Sequence, residues 1–345
     1  MSKRIVICAD GTWNRPEEDL DKDFPTNVLR LARAIRPVAD DGLSQQVFYD
    51  WGIGSYYNKV VGGVTGQGIH KNIMDGYRYI VQNYEPGARI FLFGFSRGAY
   101  TVRSLCGLIN NCGIVRRPDA RLIQRAFNQY KMTSPKWAPE GDASKEFRDR
   151  HAWPSREIAF VGAWDTVGAL GIPFSVLGLL DRTDEFYDTK LGANVRIARH
   201  ALAIDETRID FEPTLWQPRP DLDLVQTWFA GSHSDVGGSY EPDSQGRLAS
   251  DYPLGWMMGE ASRAGLSLES HLDESLKPSP KAPIHESRRH IYRFRQAYIR
   301  PLAPEGLTVS VDPSVAERWR EDDGYRPTNL AAWLDQHGGF PGGAG

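Results

Sequence analysis

The stretch Ile90-Phe91-Leu92-Phe93-Gly94-Phe95-Ser96-Arg97-Gly98-Ala99-Tyr100 decides the fold. Its apolar run is too short for a helix and rich in β-formers, whereas Arg97 to Asn110 carries helical spacing. A buried strand therefore turns sharply into a helix, with Ser96 at the turn. G-x-S-x-G matters only in that setting, where a nucleophile elbow holds its serine strained and exposed above a sheet. Gly94 and Gly98 stand two residues either side of Ser96, where a β-carbon would collide as strand and helix pass closely.

Outward from the elbow, strands and helices alternate. Arg4 to Asp10 and Gln46 to Asp50 read as strands, Asn27 to Ile35 (capped by Thr26) and Ile69 to Tyr84 as helices. After the elbow come a helix over Arg116 to Met132, a strand over Glu157 to Trp164, a helix near Asn194 to Ile204, a strand over Leu224 to Ala230 and a helix over Leu254 to Ala264. This order predicts an α/β fold: a doubly wound, mainly parallel sheet in an α/β-hydrolase-like three-layer α/β/α arrangement with insertions. One domain is expected over residues 1–345, with a core over about 4–266, excursions over about 133–156 and 170–192, and a C-terminal extension over about 267–345. The glycine-rich connection from Gly52 to Gly68 contains no phosphate-loop pattern.

Composition narrows the class of partner. A net charge of −3 gives no basic excess to attract nucleic acid, and no run of about 18 apolar residues marks a transmembrane segment. The short apolar run after Met1 is no signal-peptide core, and Cys8, Cys106 and Cys112 form no disulfide framework. A cytoplasmic protein in a reducing compartment is expected, although export by a signal-independent route stays open. No cofactor or metal is called for, and the expected partner is a small-molecule or lipid ester, with transient membrane contact.

In an open α/β sheet, functional side chains gather at the carboxyl ends of strands. Here those ends deliver Asp10 with Gly11, then Ser96, then Asp165, then His233 with Asp235. Ser, Asp, His is the chain order of α/β-hydrolase triads. Ser96 is the candidate nucleophile, and His233 the base that removes its proton near neutral pH. Asp165 would fix the histidine tautomer, with Asp205 and Asp235 as alternative orienters. An oxyanion would be held by the Arg97 N–H and a second N–H from Gly11 or Thr12. Asp10, Gly94, Gly98 and Asp235 support the site, Asp10 by accepting hydrogen bonds from its own loop or pairing with Arg97. His70 and His200 fall on expected helices as packing residues, and Ile172 to Leu180 could pack in the core or line an acyl pocket.

These motifs together resemble an α/β-hydrolase family that includes the catalytic domains of type VI secretion phospholipase effectors of the first lipase group. The matching stretches are Asp10 to Asn14, Thr26-Asn27-Val28, Tyr84 to Gly87, Gly94 to Tyr100, Val161 to Gly168, Arg199 to Glu206 and Gly231 to Gly238, with Tyr325-Arg326-Pro327 as a further candidate. The resemblance implies a serine hydrolase fold, action on ester bonds including phospholipid acyl esters, and Ser96, Asp165 and His233 as the triad. Secreted effectors of the family often carry large membrane-docking extensions, and this chain has little beyond the hydrolase core. The resemblance thus supports fold and triad more than a toxin role, and a compact intracellular esterase is the other expectation.

Two further readings compete. Asp10-Gly11-Thr12 is similar to the D-x-D-G-T loop of haloacid-dehalogenase-type phosphatases, but Cys8 occupies the nucleophile's place. A non-catalytic binding module on a hydrolase scaffold is the other.

Overall fold

The computed structural model describes residues 2–11, 23–52, 66–167 and 191–341. In chain order the elements are β1 (Arg4–Ala9), α1 (Asn27–Ala34), β2 (Gln45–Asp50), α2 (Gly66–Asn83), β3 (Arg89–Phe95), α3 (Arg97–Cys112), α4 (Ala120–Tyr130), α5 (Asp142–His151) and β4 (Ile158–Trp164). There follow β5 (Val195–Ala203), β6 (Asp223–Phe229), α6 (His233–Gly237), α7 (Asp251–Arg263), α8 (Ser270–Ser275), β7 (Ser310–Val311), α9 (Pro313–Glu321) and α10 (Thr328–His337). The seven strands form one sheet in the order β2-β1-β3-β4-β5-β6-β7, and every neighbouring pair is parallel.

Both faces of the sheet are covered, and strand alternation assigns each side chain to a face. Ile5, Ile7, Ile90 and Leu92 pack against Ile73 and Tyr77 of α2, Val102 and Leu105 of α3, and Phe147 of α5. Val6, Cys8, Phe91, Phe93 and Phe160 pack against Val28 and Leu31 of α1 and Leu254 and Met257 of α7. This is the expected three-layer α/β fold. Strand order reverses between β1 and β3, so the crevice of this sheet opens at the carboxyl ends of those two strands, where Asp10 and Ser96 lie.

Beyond residue 267, where sequence patterning fades, the chain still builds core. Leu302, Val311, Val315, Leu330 and Trp333 pack on Leu202, Ile204 and Trp228 at the ends of β5 and β6. The two-residue strand β7 extends the sheet past β6.

One expectation is corrected. The segment near Asn194 to Ile204 is the strand β5, not a helix; it lies between β4 and β6, hydrogen-bonded to both. Its Ala, Arg and Leu residues favour helix locally, but a central position in a buried sheet overrides that preference. His200 accordingly sits in a strand. The excursion over 133–156 contains α5, whose Phe147 is buried in the core beside α3. The connections over 53–65 and 168–190, including Ile172 to Leu180, lie outside the described residues, as does Thr12.

The elbow depends on close approach. A β-carbon on Gly98 would lie 1.9 Å from the Ala9 carbonyl oxygen, and one on Gly94 would lie 2.5 Å from the Gly98 carbonyl. Gly98→Ala should therefore cost roughly 2–3 kcal/mol of stability by overpacking, read as a lower urea midpoint at unchanged slope.

Candidate active site

β3 is fully buried from Ile90 to Phe95 and delivers Ser96 at its carboxyl end. Ser96 has φ 55° and ψ −120°, a strained conformation for a residue with a side chain. Its backbone N–H donates to Trp164 O (3.1 Å) and its carbonyl accepts from Tyr100 N (3.2 Å), which fixes the turn between the neighbouring strand β4 and the helix it opens. Asp165, one residue past β4, also has positive φ (40°). Two strained non-glycine residues at adjacent strand ends are unusual, and such strain concentrates at functional sites.

The Asp165 carboxylate is wholly buried and fully engaged. Oδ1 accepts from Ala203 N (3.0 Å) and Arg300 Nη1 (2.7 Å). Oδ2 meets His233 Nδ1 (2.6 Å) and Arg300 Nη2 (3.1 Å). Burial alone would raise its pKa; the charges and hydrogen bonds of Arg300 and His233 outweigh that and hold it well below the ordinary carboxylate range.

His233 opens α6, immediately after the turn that follows β6. The Phe95 ring lies 4.6 Å from its imidazole, and the Phe211 ring meets it edge-on at 4.9 Å. Phe95 adjoins Ser96, so this tilted ring contact brings the histidine to the elbow. A β-carbon on Gly237 would lie 2.0 Å from the Phe95 ring, so a glycine there admits the packing. Burial pushes the His233 pKa below its ordinary 6.5, with Arg208 adding to the fall while Asp165 and Glu206 oppose it. The imidazole is thereby kept neutral near pH 7. Its Nδ1–H faces Asp165, which leaves Nε2 as the basic nitrogen.

The other candidate orienters are engaged elsewhere. Asp205 accepts from Gly231 N (2.6 Å) and Tyr325 Oη (2.9 Å), and burial pushes its pKa up to about 6. Asp235 accepts from Ser232 N and Ser232 Oγ and pairs with His285 Nδ1 at 2.6 Å, so it braces the loop around His233. Asp10 accepts from Gly11 N (2.7 Å), Thr26 Oγ1 (2.5 Å) and Tyr49 Oη (2.8 Å). It is a buried bracket for the loop, as its own-loop reading anticipated. Asn27, next to Thr26, donates to Val236 O and Ser250 O, so α1 ties the β1 loop to α6. Gly11's N–H is turned to Asp10, while Arg97 supplies the first N–H of α3, where helices leave amide groups for external acceptors.

Sequence reading missed several neighbours. Arg300, Phe211 and the Glu206–Arg208 pair sit at or beside the Asp165–His233 contact. Glu206 is buried, accepts from Arg208 Nε and Nη2 and Ser287 Oγ, and lies 3.3 Å from His233 N. His200, read only as packing, accepts the Thr166 N–H at 3.1 Å, and burial drives its pKa down to about 3. A neutral histidine thus holds the backbone that carries Asp165. Among the described residues no cluster of metal-ligating side chains occurs, and no helix is long and apolar enough to cross a membrane.

The profile of the T6SS phospholipase effector Tle1-like catalytic domain matches residues 3–260. The chain belongs to this family. It is 26% identical over 312 residues to the uncharacterized protein YEL023C of Saccharomyces cerevisiae, covering 83% of this chain and 42% of that one. A crystal structure of an uncharacterized protein from Pseudomonas aeruginosa superimposes with a TM-score of 0.52 at 17% identity, over 81% of this chain and 49% of that one. The Tle1 effector bound to the VgrG spike of the type 6 secretion system aligns with a TM-score of 0.42 at 18% identity, over 70% and 52% of the two chains. The chain thus spans less than half of the yeast relative and about half of each solved structure. Within the Tle1-like family match fall all the strand-end residues above; Arg300 and His285 lie beyond it.

Asp165 and Asp235 separate in one experiment. Asp165→Asn should lower the His233 pKa further, because an anion that favours imidazolium is lost, whereas Asp235→Asn should leave it unchanged. Titration of the His233 imidazole by NMR reads both.

Proposed function

We propose that this chain is a serine hydrolase of carboxylic esters, acting on lipid acyl esters of the phospholipase A type, through Ser96, His233 and Asp165. The reading is carried by one observation: a neutral, buried His233 held at Nδ1 by a fully buried aspartate, its ring packed at a tilt on the residue that precedes an elbow serine at φ 55°. Family membership supports the same chemistry through its phospholipase description.

In this mechanism His233 Nε2 removes the Ser96 hydroxyl proton as Oγ attacks the acyl carbon. Asp165 stabilises the imidazolium that forms, and the negative oxygen of the tetrahedral intermediate accepts from the Arg97 N–H. The second donor is assigned to the β1 loop, from Thr12 or from a Gly11 N–H shared with Asp10. Collapse expels the alcohol, which takes its proton from His233. Water activated by the same imidazole then hydrolyses the acyl-serine and returns Oγ–H. Phe95 and Phe211 flank the ring, exclude water from its faces and fix its plane.

The phosphatase reading has no comparable support, since Asp10 is 2% exposed and engaged by three donors.

A fluorophosphonate probe should label Ser96 covalently. Labelling should vanish in Ser96→Ala and fall by about three to four orders of magnitude in His233→Ala and Asp165→Asn. Because His233 must be neutral to act and its pKa is lowered, the labelling rate should fall with acid along a limb centred below pH 6.5. A folded wild type that never labels disproves the mechanism.

A further inference from the structure

We propose that Arg300 is a positioning residue of the active site: it clamps Asp165 from the far side of His233, so that residues beyond the family-matching region complete the catalytic geometry. The inference rests on the triad reading above for its catalytic meaning, but its physical content stands on the ion pair itself. Both side chains are fully buried, and the guanidinium contacts both carboxylate oxygens while also donating to Ala203 O and Phe211 O. One cation therefore fixes three things at once: the carboxylate plane, the end of β5, and the backbone of the phenylalanine that flanks the imidazole. The planar, always-charged fork of arginine suits that task where lysine would offer a single point charge.

Arg300 is itself held from outside the sheet core. Its carbonyl accepts from Asn329 Nδ2 of α10 (3.1 Å), which also donates to Ile204 O. The Tyr298 N–H donates to Thr207 O, and Ala297 bridges Arg208 in antiparallel fashion. Asp165 past β4 and Glu206 and Arg208 past β5 act on the charge of His233, and Arg300 from the C-terminal segment reaches it through its pair with Asp165. Without Arg300 a buried carboxylate would remain uncompensated, and its field would stabilise imidazolium. The His233 pKa would then rise, opposite in sign to the effect of Asp165→Asn.

The test compares Arg300→Lys and Arg300→Gln with wild type in the full chain, by NMR titration of His233 and by fluorophosphonate labelling against pH. Arg300→Gln should raise the His233 pKa by about one unit and carry the acid limb of labelling with it. Arg300→Lys, which keeps the charge, should leave the titration within a few tenths of wild type and still slow labelling at least about tenfold through lost geometry. Unchanged titration in a folded Arg300→Gln, or full labelling speed in Arg300→Lys, overturns the clamp. Should Arg300→Gln not fold, Arg300→Lys still decides through its labelling rate. A wild type that never labels while Arg300→Gln still shifts His233 would defeat the triad and leave the clamp standing.

A second, independent observation lies on the outer side of the same segment. From Arg288 to Arg295 the chain carries four arginines, of which Arg295 pairs with Asp210 at 2.5 Å, in a protein of net charge −3; the acid Glu286 stands just before them. Arg289 and Arg293 are exposed, Phe294 is 93% exposed and Ile299 57%, and the Ala297 bridge sets Ile209, 40% exposed, alongside. The patch adjoins the site, because the Tyr292 ring packs on Phe211, which packs on His233. Exposed aromatic and aliphatic side chains among arginines match an anionic lipid surface, which takes the rings at headgroup depth and the cations at its phosphates. The geometry points to an anionic bilayer as the partner of this face. Its test uses Ser96→Ala protein, so binding is read without turnover, co-sedimented with vesicles of phosphatidylcholine alone or mixed with phosphatidylglycerol. Salt-sensitive binding to the mixed vesicles is expected, weakened about tenfold by Phe294→Asp or by Arg289→Glu with Arg293→Glu. Indifference to those substitutions overturns the assignment. So does a concentration-dependent dimer abolished by Phe294→Asp, which would make the face a contact between copies of this chain.

Discussion

A carboxylate taken out of water must be neutralised and hydrogen-bonded or it will not stay charged. Asp165 meets that demand with four contacts, from Ala203, His233 and both arms of Arg300. Around it the ends of β4, β5 and β6 and the C-terminal segment are brought into one arrangement. The strain at Asp165 and Ser96 is tolerated because both strand ends are held on several sides. Their neighbours donate or accept backbone hydrogen bonds, and the residues beneath them are buried phenylalanine and tryptophan. Removing Arg300 would leave an unpaired buried anion, the kind of loss that costs several kcal/mol when one partner of such a pair is deleted.

Much of this was legible in the chain because strand ends are local features. Short β-rich apolar runs followed by Gly, Asp, Ser or His identify where a parallel sheet presents side chains, and that reasoning placed Asp10, Ser96, Asp165 and His233 at strand ends. The glycines at 94 and 98 announced the close approach that their environments bear out. β5 escaped because its residues favour helix taken alone, and only two flanking strands make it extended. Arg300 escaped for a different reason: it lies 135 residues from its partner, in a segment without periodicity. Which of several buried aspartates meets His233 is likewise a question of three-dimensional pairing, and Asp205 and Asp235 find Tyr325 and His285 instead.

The polar groups around the site form concentric supports. Asp10 fastens the β1 loop to Thr26 and Tyr49, Asn27 fastens α1 to the α6 turn, and Asp235 with His285 fastens that turn to the C-terminal segment. Each uses a buried or half-buried charge or amide to satisfy backbone groups that an irregular loop would otherwise leave unpaired. Rigid placement of strand-end side chains follows.

The contact between Asp165 and Arg300 also orders events in time. A chain leaving the ribosome presents the elbow and the strands that carry Asp165 and His233 well before it presents Arg300, and the helix that holds Arg300 emerges later still. A domain folds as a unit once its residues are available, so a nascent chain that has exposed only its first two hundred and sixty or so residues carries the elbow serine without the cation that neutralises Asp165. Synthesis from the N-terminus thereby delays the Asp165–Arg300 pair until the segment around residue 300 has emerged, and until then the carboxylate at the end of β4 lacks its cation.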